Sequence, residues 1–124
     1  MDTFLPFKRR WAGYVAEAHA LEYYRSQGFC LLVQNGRLGR SEVDLLLWHP
    51  WQRLLLVVEV KYASRGFEHW RFPERQARRV WRAARGLRPP PLRAHEPELR
   101  LCLLSGSLKS PQIQEVRNIL EGWD

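Results

Sequence analysis

Apolar positions recur at three- and four-residue spacing through Trp11, Tyr14, Val15, Ala18 and Leu21, which predicts a helix over residues 9–27 with Gly28 at its C-cap. The period then shortens. Residues 29–34, 42–48 and 53–61 read as three strands, separated by a glycine-containing loop at 35–40 and a turn at 49–52. A second helix is predicted over 73–86, with Ala77, Val80, Trp81 and Ala84 on its apolar face, and a stiff polar loop follows at 88–97. Residues 98–104 read as a fourth strand, and Ser110-Pro111 as the start of a third helix that runs to Leu120. Three closely linked strands form a meander, and a strand reached through a helix adds in parallel. The expectation is one α/β domain over residues 1–124, of order αβββαβα, with helices packed on a mixed sheet.

The length of 124 residues suits one domain that buries roughly two-thirds of the surface its unfolded chain exposes. Cys30 and Cys102 fall inside apolar runs and are expected to be small buried hydrophobes, reduced, in a cytoplasmic protein. Lys8, Arg9 and Arg10 are followed by Trp-Ala-Gly-Tyr-Val-Ala-Glu, too polar for a signal peptide, and no segment approaches the roughly 18 apolar residues of a membrane span. Twenty Lys and Arg against 13 Asp and Glu leave a charge of +7, which points to a polyanionic partner, since basic surfaces attract phosphate backbones.

Polar residues interrupt the most apolar part of the chain at two places: Asp44 in Glu-Val-Asp-Leu-Leu-Leu-Trp, and Glu59 with Lys61 in Val-Val-Glu-Val-Lys. Burying such charges is costly unless they are paired or bound to a metal. Alternation sets Glu59 and Lys61 on one strand face, and closure around a turn at 49–52 sets Asp44 opposite Val57, diagonal to Glu59 on that face. Two carboxylates so placed, with the Val60 carbonyl, suit Mg²⁺ or Mn²⁺. A cross-strand salt bridge at a sheet end fits the local pattern as well. Glu17, at the margin of the first helix's buried face, is a fourth candidate; Glu42 shares the Asp44 face as an auxiliary.

Asp44 followed by Glu59-Val60-Lys61 resembles the PD-(D/E)XK nuclease signature. The wider pattern, Ala16-Glu17-Ala18, Gln-Gly-Phe-Cys-Leu-Leu-Val-Gln-Asn, Gly-Arg-Ser-Glu-Val-Asp-Leu-Leu and Val-Val-Glu-Val-Lys-Tyr, resembles the YraN-like family of uncharacterised bacterial proteins over residues 10–86. That resemblance implies a restriction-endonuclease-like fold, similar in layout to archaeal Holliday-junction resolvases. It also implies metal-dependent cleavage of DNA by Asp44, Glu59, Lys61 and Glu17. The chain departs from the family pattern at Ala16, at Ser41, at Gln76 where a lysine is usual, and at Cys102 where an Asp is. Gln76 can hold water or phosphate but supplies no charge.

Arg75, Arg78, Arg82 and Arg85 share one quadrant of the second helix, and Arg37 and Arg40 precede Asp44; all six are expected to contact phosphates. Trp81 is assigned to the core. Trp48, Trp51 and Trp70, near turns, suit either packing at the core edge or stacking on unpaired bases. The four histidines show no metal-ligand spacing, and neither a Ser/His/Asp set nor a glycine-rich nucleotide loop is present. The leading expectation is a phosphodiesterase acting on DNA, with surface apolar and aromatic residues that would permit a homodimer; a catalytically weak binding module and an accessory protein acting through a protein partner are the alternatives.

Overall fold

The computed structural model describes residues 4–120, with side chains from residue 11 onward. In chain order the elements are helix α1 (Phe4–Arg25), strands β1 (Cys30–Leu38), β2 (Ser41–His49) and β3 (Leu54–Ala63), helix α2 (Glu74–Gly86), and strands β4 (Glu98–Ser105) and β5 (Gln112–Val116). The strands lie in sequence order in one mixed sheet, in which β3 and β4 are parallel and the other neighbours antiparallel. No helix among the described residues is long and apolar enough to cross a membrane.

Five consecutive residues of β3, from Leu55 to Glu59, are buried, which requires cover on both sheet faces. On one face Leu45, Leu47, Leu56 and Val58 meet Ala16, Ala20 and Tyr24 of α1. On the other, Leu46, Leu55 and Val57 meet Ala77, Val80 and Ala84 of α2. The mixed α/β layout therefore follows from the apolar run of the central strand.

Four local expectations are corrected. First, α1 reaches back to Phe4, and it buries Ala16, Ala20, Leu21 and Tyr24 while Trp11 and Tyr14 stay 61% exposed. Two stripes of helical period compete on this helix, and the one with alanines lets the axis approach the sheet closely. Second, residues 35–38 belong to β1: Leu38 pairs with Ser41, leaving Gly39-Arg40 as a tight turn with Gly39 at φ +63°. Third, the predicted third helix is absent from the described residues, and β5 stands in its place, antiparallel to β4. The Ser-Pro cap signal is local, whereas β4 offers a row of unpaired backbone groups that a strand satisfies. Fourth, Cys102 is buried, but Cys30, at the start of an edge strand, is exposed.

Two polar anchors fix the ends of the sheet. Buried His49 accepts the Gln52 N–H at Nδ1 (3.1 Å), so Nε2 carries the proton and donates to the Gln27 carbonyl (2.9 Å), tying the end of α1 to the β2–β3 turn. Gly28, at φ +99°, leaves the space this needs, because a Cβ there would stand 2.8 Å from His49 Nε2. On β5, Glu115 accepts from Tyr24 (2.8 Å), Tyr23 (3.3 Å), Arg100 (3.3 Å) and Arg117 (3.0 Å). Burial alone would raise the Glu115 pKa, but the Tyr24 and Arg117 hydrogen bonds and the Arg100 charge outweigh it and hold the group below its ordinary value. Arg100, itself buried, also pairs with Glu98.

Glu115→Ala strands the buried Arg100 charge beside one remaining partner, and the expected loss is about 3 kcal/mol in urea unfolding. Adding Arg100→Met should recover part of that loss, since no charge is then left buried. A double variant no more stable than Glu115→Ala would show that the ion pair is not what holds β5.

Candidate active site

The β2–β3 register decides where the carboxylates meet. His49 pairs with Leu54, Leu47 with Leu56 and Leu45 with Val58, so one further step sets Asp44 across from Glu59. The sequence places Val57 there instead; in the structure Val57 faces Leu46, because His49 still belongs to β2 and the turn moves on by one residue to 50–53, with Arg53 at φ +52°. That change slides the register by two residues and so keeps every side chain on its expected face. Leu46 and Val57 face α2, and the same alternation directs Asp44, Glu59 and Lys61 to the α2 side.

The groups close on one another. Lys61 Nζ lies 3.0 Å from Glu59 Oε2, the Gln76 amide donates to the same oxygen at 3.4 Å, and the Val60 N–H donates to Asp44 Oδ2 at 2.8 Å. Asp44, Glu59 and Gln76 line a cleft of about 290 Å³ together with Arg40, Glu42 and Arg79. Glu17 approaches from α1 and lies outside that lining; its Oε1 is buried without a hydrogen-bond partner.

Residues 16–99, about two-thirds of the chain, match the family described as "Uncharacterised protein family UPF0102". The chain belongs to that family. The match takes in Glu17, Asp44, Glu59, Lys61 and Gln76, agrees with the YraN-like resemblance of the sequence, and stops within β4. A search of curated proteins gives no match.

Burial, followed by the facing Asp44 charge, pushes the Glu59 pKa up to about 7, although Lys61 pulls the other way. Burial raises Asp44 too, against the hydrogen bond from Val60. Glu17 is raised by burial and then by the charge of Asp44, while hydrogen bonding to Gln34 and Asn35 pulls the other way. Among the described residues no group of three or more His, Cys, Asp or Glu side chains is gathered tightly enough to hold an ion alone. Asp44 and Glu59, facing each other, are hard oxygen donors of the kind that leaves the remaining positions of a small cation to water.

The arginines divide into two groups. Arg85 is salt-bridged to Glu96 at 2.8 Å and lies 5.1 Å over the Trp81 ring, and Arg78 is 3.4 Å from Glu74, so the structure does not leave the expected row of four uniformly available. Arg37 sits 3.5 Å from exposed Glu42. Arg40 and Arg79 line the cleft, and Arg75 and Arg82 are exposed on the adjoining strip of α2. Sequence reasoning passed over Arg79, though a helical wheel sets it three residues from Gln76 on the same side. Trp81 is half-buried rather than core, donating to the Pro97 carbonyl at 2.7 Å, and Trp48 packs on His95. Trp51 is 92% exposed at the β2–β3 turn. The side chains of Lys8, Arg9 and Arg10 lie outside the described residues.

A carboxyl whose pKa is raised on folding makes the native state bind more protons than the unfolded one, so stability falls as pH rises. For Glu59 the window runs from its ordinary 4.5 to about 7. In metal-free buffer the melting temperature should decline across that window, and Glu59→Gln should flatten the decline and melt several degrees higher at pH 8. A Glu59→Gln variant that melts with the wild-type pH profile would assign the titration elsewhere.

Proposed function

We propose that the chain is a metal-dependent phosphodiester hydrolase of the PD-(D/E)XK type that acts on DNA in the cytoplasm, with branched or otherwise structured DNA as the substrate class. The observation that carries this reading is the facing of Asp44 and Glu59, with Lys61 at 3.0 Å, in a polar cleft bordered by Arg40 and Arg79. Two carboxylates turned toward each other repel until a proton or a cation joins them. Asp44, Glu59 and the Val60 carbonyl would hold Mg²⁺ or Mn²⁺, and Glu17, with its unpartnered oxygen, stands as an outer acid. When bound, the cation supplies positive charge against the phosphate and lowers the pKa of water.

The chain's own residues do the rest of the work. The Val60 N–H fixes the Asp44 carboxylate, and Lys61 offers a compact cation to the phosphate or the attacking water. Gln76 steadies Glu59 and can donate to a phosphate oxygen. Arg40, Arg75, Arg79 and Arg82 draw in the backbone. Gln76 also favours a second reading, a binding module with weak chemistry, because the family pattern has a lysine there.

Four-way-junction DNA incubated with Mn²⁺ should be cut in preference to linear or single-stranded DNA, and chelator should stop the reaction. Asp44→Ala or Glu59→Ala should lower cleavage on the order of 100-fold or more while binding persists. Binding without cleavage in any divalent metal would leave the second reading standing.

The salt dependence of binding tests the division of the arginines. Arg75→Ala, Arg79→Ala and Arg82→Ala should each flatten the slope of log affinity against log salt by about one unit. Arg85→Ala should change it little, since that guanidinium is already paired with Glu96. Equal effects at all four positions would show that the ion pairs open on DNA.

A further inference from the structure

Helix α2 packs over β2 and β3, while the same face of β4 and β5 carries Leu101, Leu103 and Val116. Among the described residues, that part of the sheet is crossed by the segment after β5, which brings Ile119 to it, and by the segment between β3 and α2. The latter brings Phe67, Trp70 and Phe72 over the leucines and leaves a groove of about 620 Å³. Trp70 and Phe72 are nearly parallel, 23° apart with ring centroids at 5.9 Å, and Phe67 stands edge-on to Trp70 at 5.6 Å. All three rings are half-buried, so each keeps surface facing the groove.

The groove adjoins the acidic pair. In the parallel ladder Glu59 pairs with Leu101 and Lys61 with Leu103, so the groove floor begins one strand, about 4.8 Å, from the residues proposed to hold the scissile phosphate. Arg71 is exposed at the rim with its Nη1 donating to the Trp70 carbonyl; Arg117 also lines the groove, but its guanidinium is paired with Glu115 at 3.0 Å, and Glu68 is the one acid among the described lining residues. An apolar floor and planar aromatic walls match the faces of a base, and the Arg71 guanidinium at the rim matches a phosphate.

We propose that this groove binds unpaired bases of the nucleic acid next to the phosphate at Asp44, Glu59 and Lys61, and so directs the protein to junctions between duplex and single strand. This rests on the nucleic-acid reading above and deepens it. Stacking tolerates any base, so the groove selects unpaired structure and not sequence. Blunt duplex DNA meets only the arginines of α2 and the cleft.

The test compares two fluorescent probes in chelator, where no cleavage occurs: a blunt duplex, and the same duplex with a short single-stranded thymine overhang. Wild-type protein should bind the overhang probe about 10-fold or more tighter. Trp70→Ala and Phe72→Ala should erase that advantage and leave blunt-duplex affinity unchanged. Because either variant can fail to fold, iodouracil placed in the overhang is also cross-linked to wild-type protein; adducts should map to Phe67, Trp70 or Phe72. Equal affinity for the two probes, or adducts confined to other segments, overturns the groove proposal while arginine-dependent duplex binding keeps the nucleic-acid reading. No binding of either probe ends both. Concentration-dependent dimerisation abolished by Trp70→Ala would assign the groove to a second copy of the chain, and would also overturn the proposal.

Discussion

A central strand buried on both sides is the constraint from which the rest of the molecule follows. From Leu55 to Glu59, β3 has no solvent-facing position, so α1 must cover one face and α2 the other. Polar side chains on such a strand can exist only toward the end of the covered stretch. Glu59 and Lys61 occupy that boundary, where Lys61 already regains partial exposure. The carboxylate is thus desolvated enough to be costly and open enough to meet a ligand.

The same logic sorts the basic residues. An arginine that finds a carboxylate becomes part of the structure, as Arg85 does with Glu96 from the loop before β4 and Arg100 with Glu98 on its own strand and Glu115 on β5. Among the described residues Arg40, Arg75, Arg79 and Arg82 make no ion pair, and in the proposed reading their charge serves the nucleic acid. The net charge of +7 is therefore not all taken up in internal ion pairs.

Much of this was legible in the chain itself. The β2 and β3 runs are long and apolar, and period-two alternation places Asp44, Glu59 and Lys61 on one face even when the turn is misplaced by one residue, because the resulting slip is even. What was not legible depends on partners remote in sequence. On α1 two stripes fit helical spacing, and only the sheet's need for close approach, with Tyr24 reaching Glu115, chooses between them. Ser110-Pro111 reads as a helix start, yet the open edge of β4 claims the segment as a strand. Arg85 reads as a phosphate ligand until Glu96 is brought to it by the loop before β4.

An open sheet has two edge strands, and each is a template on which another chain can add. Here β1 is bulged between Leu31 and Val33, takes Asn35 into the left-handed region and carries Arg37. At the other edge, β5 is five residues long and presents Gln112, Gln114 and Glu115 among its members. Irregular backbone guards one side and brevity with polarity guards the other. A protein built around so greasy a central strand is thereby protected from growing, edge to edge, into an aggregate.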